Sequence, residues 1–406
     1  MRTSKRWSAR DDAASVLRAL TRRRREEILN TTGYDAIVVG AGPVGQFLAL
    51  AAGARGRRIL VLEARANVAE GNNDRTLAVS HGSWLMLERF GVTAALAALA
   101  TPIRSIHISQ RGGPGRTALT AAENGLPALG YVVGYRDLQS ALATALACIA
   151  EVRHGTAVTH VTESAGSVSV HAGDNEFNAR DVIIAEGGGK LLAALGLEQS
   201  IKEYGVNALV ARVTTDAPQR HIAYERFAAK GPMALLPRGT GFALVWTLEP
   251  AAALKVAAMP TPVFLQALQN AFGWRAGRFI DAGERGSFPL VLRRTSDSPF
   301  QRVTVLGNAA QTLHPVAGQG LNLGLRDAWV AADALVRDGR IDGRAFAIAR
   351  RRDRGANVRF TDLLAELFTA TAPGLEAARG FGLTLLDTAP GLRRLFTHAL
   401  SIGSLR

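Results

Sequence analysis

The segment from Tyr34 to Gly45, YDAIVVGAGPVG, constrains the fold of this chain most strongly. An apolar strand runs into glycines spaced G-x-G-x-x-G and then into a helical stretch, after which RRILVLEA is typical of a second strand. Gly40 allows the tight turn, Gly42 lets backbone approach a pyrophosphate, and Gly45 lets the helix pack closely on the strand. Glu63 ends the second strand 18 residues after Gly45, near the roughly 20 expected for an acid that accepts from ribose hydroxyls. The pattern predicts an α/β strand–turn–helix–strand unit that binds a dinucleotide, and a purely structural glycine turn is the alternative.

A second glycine-rich block, VLGNAAQTLHPVAGQGLNLGLRDA, runs from Val305 to Ala328. Backbone can approach a ligand closely at Gly318 and Gly320, and the N–H groups at the start of the following helix favour negative charge. Asn308 follows the strand VTVLG with an amide suited to a chain of sugar-like hydroxyls. The block predicts a cradle for a flat, electron-accepting ring, and an ordinary Gly/Pro loop is the alternative.

The two blocks lie about 260 residues apart, and together they resemble those of single-component FAD-dependent aromatic hydroxylases, in particular the ubiquinone-biosynthesis hydroxylases. YERFAAKGPMALLP and GNAAQTLHPVAGQG resemble the 2-polyprenyl-6-methoxyphenol hydroxylase branch. The resemblance extends from about Tyr34 to the C-terminus. It implies an α/β fold of the para-hydroxybenzoate hydroxylase type, with a Rossmann-like FAD-binding domain, a mixed β-sheet substrate domain and C-terminal helices. The further matching stretches are DRTLAVSHGSWLMLERFGV, YRDLQSAL and VRFTDLLAELF.

The resemblance also implies which residues surround the cofactor. Arg75 and Arg136 become candidates for phosphate or flavin contacts, with solvated surface arginines as the alternative. The chain departs from the family pattern at Glu186, where many relatives have Asp, and at Asn308, which replaces the usual Asp. The implied FAD site comprises Gly40, Gly42, Gly45, Glu63, Arg75, Arg136, Gln139, Glu186, Gly187, Gly307, Asn308, Gly318, Gly320, Leu321 and Asn322.

By resemblance, NAD(P)H reduces the FAD, and an oxygen atom from O2 enters an electron-rich phenol. His314 is a titratable side chain of the late block whose ordinary pKa is near neutral, so it is a candidate proton relay. A histidine bonded to backbone before Pro315 is the alternative. Pro315 fixes φ and exposes neighbouring carbonyls that are able to accept from a substrate hydroxyl. The eight histidines show no metal-ligand spacing, so no metal site is predicted.

The resemblance implies hydroxylation of 2-polyprenyl-6-methoxyphenol at C1 in ubiquinone biosynthesis. Three alternatives remain open because fold does not fix function. They are a hydroxylase of a soluble phenol, an isoprenoid reductase, and a non-catalytic flavin-binding subunit of a quinone-biosynthesis complex. The partners implied are a prenylated phenol, O2, and either a membrane surface or such a complex.

Changes of pattern along the chain predict four regions. From Tyr204 onward, NALVARVTT, HIAYERF, PMALLP and GFALVWTLE are typical of strands in a separate sheet, which IRSIHISQ joins, with a helix near 262–273. The predicted regions are a basic N-terminal extension (1–33), a discontinuous FAD-binding domain (34–102, 131–203 and 293–340), a substrate domain (103–130 and 204–292) and a C-terminal helical region (341–406).

A formal net charge of +14 raises the question of nucleic-acid binding. Residues 1–30 hold nine Lys/Arg against four Asp/Glu, but no nucleic-acid motif accompanies this arm, so nucleic acid is not a predicted partner. No run of 18 apolar residues or signal-peptide core occurs. The single cysteine, Cys148, fits a reducing cytoplasm and is predicted to pack within a helix.

The C-terminal stretch FGLTLLDTAPGLRRLFTHALSIG mixes an apolar face with Arg393, Arg394 and His398. This layout is typical of a helix that lies at a membrane interface. Packing of the apolar face against the FAD-binding domain is the alternative. The predicted location is therefore the cytoplasm, with the inner face of the membrane as a peripheral site.

Overall fold

The computed structural model describes residues 33–66, 75–111, 113, 115–187, 189–228, 231–313, 318–369 and 375–402. For residues 357, 358, 360–369 and 375–379 it describes the backbone alone. His314, Pro315 and the basic extension before residue 33 lie outside the described residues.

The strands are named in chain order. They are β1 (Tyr34–Val39), β2 (Ile59–Leu62), β3 (Thr76–Ser80), β4 (Thr101–Ile103), β5 (Ser105–Gln110), β6 (Arg116–Thr120), β7 (Gly130–Gly134), β8 (Glu151–Arg153), β9 (His160–Glu163), β10 (Val168–Ala172), β11 (Asn175–Ile184), β12 (Gln199–Thr215), β13 (Ile222–Ala228), β14 (Gly231–Arg238), β15 (Gly241–Leu248), β16 (Phe279–Thr295), β17 (Val303–Val305) and β18 (Gln311–Thr312).

The α-helices are named in the same way. They are α1 (Pro43–Gly53), α2 (His81–Glu88), α3 (Val92–Leu96), α4 (Tyr135–Leu146), α5 (Lys190–Ala194), α6 (Pro250–Ala257), α7 (Thr261–Phe272), α8 (Gly307–Ala310), α9 (Gln319–Asp338), α10 (Gly343–Thr369), α11 (Leu375–Thr388) and α12 (Pro390–Ser401), with a 3₁₀ turn at Ala122–Asn124.

The first sheet contains the strand–turn–helix–strand unit that the sequence predicts. Its order is β8-β2-β1-β11-β10-β9, and β17 also pairs with β11. Strand β1 is parallel to β2 and β11, while β9, β10 and β11 form an antiparallel meander. Ile37 and Val38 are fully buried on opposite faces, because a parallel strand covered on both sides is apolar throughout. Helices α1 and α9 pack together over one face.

The second sheet has the order β18-β16-β12-β15-β14-β13-β5-β6. Strand β5 belongs to this sheet, as the sequence predicts for IRSIHISQ, and it pairs in parallel with β13. Helix α7 occupies the predicted position and buries Phe264 and Phe272 against one face of this sheet. Helix α6 precedes it and was not predicted. Strands β12 and β16 continue past 203/204 and 292/293, the predicted domain boundaries, and β-bulges interrupt their pairing. The division into domains stays a prediction.

A third sheet has the order β3-β7-β4, and its strands flank β5 and β6 in the chain. The C-terminal helices pack beside strands β5 and β6. The stretch from Phe381, which has the layout of an interfacial helix in the sequence, spans two helices, α11 and α12, that meet at Ala389. Arg393 does not belong to a free polar face, because its guanidinium donates to the Glu123 carboxylate at 3.0 and 3.1 Å. This ion pair joins helix α12 to the 3₁₀ turn at Ala122–Asn124, which follows β6.

The expectation for Cys148 was wrong. Its side chain is exposed, because helix α4 ends at Leu146 and the apolar run continues into the following turn. Within the described part of the chain, no helix is both long and apolar enough to cross a bilayer.

Candidate functional site

The glycine turn after β1 leaves open space in front of helix α1. Gly40 has φ of +108°, and a Cβ there would meet the Ala185 carbonyl oxygen at 2.9 Å. A Cβ on Gly45 would lie 2.1 Å from the Gly40 carbonyl oxygen, so only glycine permits this approach of helix to strand. A Cβ on Gly42 meets no atom within 4 Å. The N-terminal N–H groups of α1 therefore border a space suited to a pyrophosphate.

Glu63 lies buried at the end of β2 and holds the same turn. Its Oε2 accepts from the Ala41 N–H at 2.7 Å, and its Oε1 accepts from the Arg65 Nε at 2.8 Å. Burial opposes the charge of Glu63, but hydrogen bonds from Arg65 and the Ala41 N–H outweigh it and lower its pKa. The group is therefore a carboxylate at neutral pH, the form needed to accept from ribose hydroxyls.

Two amide side chains converge on the carbonyl oxygen of Ala41. Gln139 Nε2 donates to this oxygen at 3.3 Å, and Gln46 Nε2 donates to it at 2.9 Å. The sequence identified Gln139, which reaches the turn from helix α4, but missed Gln46. Gln46 directly follows Gly45, the third glycine of the motif, and this position was the signal that could have identified it.

Arg75 and Arg136 are exposed and lie at the same junction. The Tyr135 N–H donates to the Arg75 carbonyl oxygen at 2.8 Å, which places both arginines near the start of helix α4. Their contacts with phosphate or flavin stay predictions.

The late glycine block enters the site from the carboxyl end of β17. Gly307 has φ of +58°, and a Cβ there would lie 3.3 Å from Val44 of helix α1. Asn308 is exposed on the following turn of α8. Both β1 and β17 are parallel to β11, so their carboxyl ends lie at one edge of the sheet. This edge is where ligands bind in open α/β sheets.

The start of helix α9 forms the remaining part of the predicted ring cradle. Gly318 has φ of +59°, and a Cβ on Gly320 would meet no atom within 4 Å. Leu321 is half-buried and Asn322 is 2% exposed. The Asn322 amide accepts from the Ser80 N–H at 2.8 Å and donates to the carbonyl oxygens of Gly318 and Ala78, at 2.7 and 3.0 Å. Asn322 therefore fixes the helix start against β3.

Glu186 and Gly187 follow β11 near the glycine turn. Glu186 Oε1 accepts from the Leu191 N–H at 3.2 Å, so the carboxylate caps the short helix α5. Gly187 is exposed. Their part in nicotinamide use stays a prediction.

A largely apolar cavity of about 390 Å³ adjoins the start of helix α9. Strands of the second and third sheets form its walls, and helices α11 and α12 contribute Leu383, Leu386, Phe396 and Leu400. Gly318, Gly320, Leu321 and Asn322 also border it. The sequence pointed to none of the four C-terminal apolar residues as cavity residues.

Glu225 in β13 is a further cavity residue that the sequence did not single out, although YERF was identified as a motif. Alternation along AYERF was the available signal, because residues two apart lie on one face of a strand. Across the described residues, no group of three or more His, Cys, Asp or Glu side chains is arranged to hold a metal ion.

Comparisons with known proteins identify the family. The FAD binding domain model matches residues 33–343. Ubiquinone hydroxylase UbiL of Rhodospirillum rubrum is 31% identical over 383 residues, which cover 90% of this chain and 89% of that protein. The 3-demethoxyubiquinol 3-hydroxylase of Escherichia coli is 29% identical over 380 residues, covering 89% of this chain and 96% of that protein.

The solved structure of p-nitrophenol 4-monooxygenase PnpA from Pseudomonas putida has the same fold. The TM-score is 0.75 at 16% identity, with 93% of this chain and 100% of that chain covered. The open glycine turn, the buried Glu63 carboxylate and the exposed Asn308 fit FAD, which the family binds. The chain therefore belongs to the FAD binding domain family, among the FAD-dependent hydroxylases of ubiquinone biosynthesis.

Proposed function

We propose that this enzyme hydroxylates 2-polyprenyl-6-methoxyphenol at ring position C1. The observation that carries the proposal is the apolar cavity of about 390 Å³ beside the predicted ring cradle. This volume lies in the range of small-molecule sites, roughly 300–1,000 Å³. An aromatic head group and the first part of a prenyl tail match a wall of Leu, Ile, Val and Phe side chains. The Rhodospirillum rubrum relative is named a ubiquinone hydroxylase, which supports a substrate of this class.

Different residues around the glycine turn and the late glycine block bind different parts of FAD. The N–H groups of helix α1 bind the pyrophosphate in front of Gly42, and Glu63 accepts from the ribose. Asn308 bonds the ribityl chain, and the helix start at Gly318–Asn322 borders the ring. When bound, FAD takes reducing equivalents from NAD(P)H and supplies activated oxygen. Arg75, Arg136 and Gln139 complete the phosphate side, while Glu186 and Gly187 lie toward the nicotinamide.

His314 and Pro315 are the proposed catalytic pair of the late block. The His314 imidazole relays a proton, and Pro315 orients neighbouring carbonyls toward the substrate hydroxyl. Both residues lie outside the described part of the chain, so their roles depend on the sequence motif alone.

The membership of a hydroxylase family sets aside the non-catalytic subunit as an alternative. The two enzymatic alternatives, a hydroxylase of a soluble phenol and an isoprenoid reductase, become outcomes of the test that follows.

Cells that lack this protein should accumulate a prenylphenol one hydroxylation short of the next ubiquinone precursor. The reason is that oxygen insertion by this enzyme would be the missing step under aerobic growth. Lipid extracts separated by chromatography and identified by mass spectrometry measure it. Normal ubiquinone with no compensating hydroxylase would reject the function in favour of a soluble-phenol hydroxylase or an isoprenoid reductase. A precursor lacking oxygen elsewhere on the ring would reject the C1 position alone.

The C-terminal helices support a proposal about how a substrate with a prenyl tail reaches the cavity. Leu383, Leu386, Phe396 and Leu400 face the cavity, while Phe381, Leu385, Leu392 and Leu395 are exposed on the same two helices. Arg394 and His398 are exposed beside them. Apolar side chains flanked by basic groups suit the surface of an anionic bilayer. We place the enzyme peripherally on the inner face of the membrane.

Leu395→Glu should weaken binding to vesicles that contain anionic lipid by about tenfold, because it puts a charge into the apolar contact. Vesicle flotation of the holoenzyme measures the bound fraction. The matched control is Leu254→Glu in helix α6, since Leu254 is 63% exposed and Leu395 is 69% exposed. Equal flotation of both variants and the wild type would contradict the membrane contact and favour a protein complex as the partner.

A further inference from the structure

Glu225 stands within an apolar wall of the substrate cavity. It lies in a row across four adjacent strands, Ile108, Glu225, Ala234 and Val245, which the strand pairing places side by side. All four residues line the cavity. Among the cavity-lining residues that the structure describes, Glu225 is the one ionisable side chain.

Among the described residues, none supplies a countercharge to Glu225. Its sequence neighbour Arg226 points to the opposite face of β13, where its guanidinium lies 5.8 Å from the Phe272 ring centre and donates to Ser109 Oγ at 3.2 Å. The side chains that face the cavity from β5, β14, β15, α9, α11 and α12 are apolar or neutral. Burial alone raises the pKa of Glu225 to about 8.

A carboxyl group that has no hydrogen-bond partner among the described residues is costly in an apolar cavity, because burial of an unpaired polar group is unfavourable. A ligand with a hydroxyl group would satisfy it. The same cavity is bordered by Gly318–Asn322, the predicted ring cradle, so a phenol held there lies in one chamber with Glu225 and the flavin site.

We propose that Glu225 is the base that accepts the hydroxyl proton of the phenol substrate. The O–H bond of the phenol breaks, its electron pair stays on the phenol oxygen, and the proton passes to a Glu225 carboxylate oxygen. A phenolate and a neutral carboxylic acid result, and no electron is transferred. The proposal rests on the proposed phenol hydroxylation.

The environment of Glu225 suits this step. A carboxyl group with an ordinary pKa of about 4.3 is a weak base toward a phenol with a pKa of about 10. Burial brings the pKa of Glu225 to about 8 and closes much of this gap. The phenolate is more electron-rich than the phenol, so its ring accepts electrophilic oxygen more readily.

The test compares the holoenzyme with Glu225→Gln and Glu225→Asp, using a methoxyphenol with a short prenyl chain as the probe. Because the carboxylate is the active form, kcat/KM of the wild type should rise with pH up to about 8. Glu225→Gln should lower kcat about a hundredfold, change KM little, and remove this rise. Relative to Glu225→Gln, Glu225→Asp should restore part of kcat and part of the rise of kcat/KM with pH. Glu203→Gln, an exposed site on β12, is the matched control and should keep the wild-type profile.

The stability of the same variants gives a readout without substrate. Between about pH 4.3 and pH 8, the folded protein keeps a proton on Glu225 that the unfolded chain has lost. Wild-type stability should therefore fall relative to Glu225→Gln as pH rises through this window, and the melting temperatures measure it.

The outcomes separate the two proposals. If the wild type hydroxylates the probe and Glu225→Gln keeps its rate and pH profile, the role of Glu225 is wrong while the proposed function stands. If the wild type does not hydroxylate the probe, the proposed function fails and the role of Glu225 fails with it.

Discussion

Gly42→Val should abolish the purification of this enzyme with bound FAD, lowering FAD affinity by about a hundredfold or more. Gly42 has φ of −71° and ψ of 171°, which valine adopts readily, and its Cβ would meet no protein atom within 4 Å. The added side chain therefore fits the protein and occupies the space in front of helix α1. Flavin absorbance per protein measures the loss of FAD binding, and the melting temperature of the apoprotein measures separately whether the variant stays folded.

Gly166→Val is the matched control, since a Cβ at Gly166 also meets open space but lies in the turn between β9 and β10. It should keep its full flavin content. A Gly42→Val protein that stays folded and yellow would show that the pyrophosphate does not bind at this turn.

Asp327→Asn should lower the free energy of unfolding by about 3 kcal/mol, because removing one partner of a buried ion pair leaves the other charge uncompensated. Asp327 in helix α9 is 0% exposed and accepts from Arg350 Nε at 2.6 Å and Arg354 Nε at 2.8 Å. Burial opposes the charge of Arg350, but Asp327 and Asp353 outweigh it and raise its pKa. Urea unfolding at a fixed FAD concentration measures the loss.

The control for Asp327 is Asp297→Asn. Asp297 pairs with Arg351 at 2.5 Å, but both side chains are more than half exposed, so its loss should cost less than about 1 kcal/mol. Equal losses in the two variants would contradict the larger contribution of the buried ion pairs that join Asp327 to Arg350 and Arg354 of helix α10. Arg354 also donates to the Val305 carbonyl oxygen at 3.1 Å, so Asp327→Asn should in addition weaken FAD binding through strand β17.

The local spacing of the sequence determined the unit of β1, glycine turn, α1 and β2. Gly40 needs a positive φ, which backbone sterics largely restrict to glycine, and Gly45 permits the close approach of helix to strand. The membership of β5 in the second sheet was predicted as well, but its parallel pairing with β13 was not. The family resemblance then supplied the cofactor and the reaction class, which periodicity alone does not contain.

Tertiary structure decided the contacts between distant segments. Gln139 meets Ala41 from 98 residues away, and Asn322 fixes its helix against β3 from a separation of 242. Neither separation leaves a periodic signal in the sequence. The pair between Arg393 and Glu123 likewise depended on how the C-terminal helices pack, whereas the helix break at Ala389 is a local effect of Pro390.

Glu225 shows most clearly which features the sequence determined and which the tertiary structure decided. Alternation along AYERF places Ala223, Glu225 and Phe227 on one face of a strand, and the sequence by itself determines that much. Which face borders the cavity depends on the register of β13 between β5 and β14 and on the two helices that close the far side. A one-residue shift in register would turn Glu225 toward helix α7 and Arg226 into the cavity, so the chemistry of the site was decided by strand pairing.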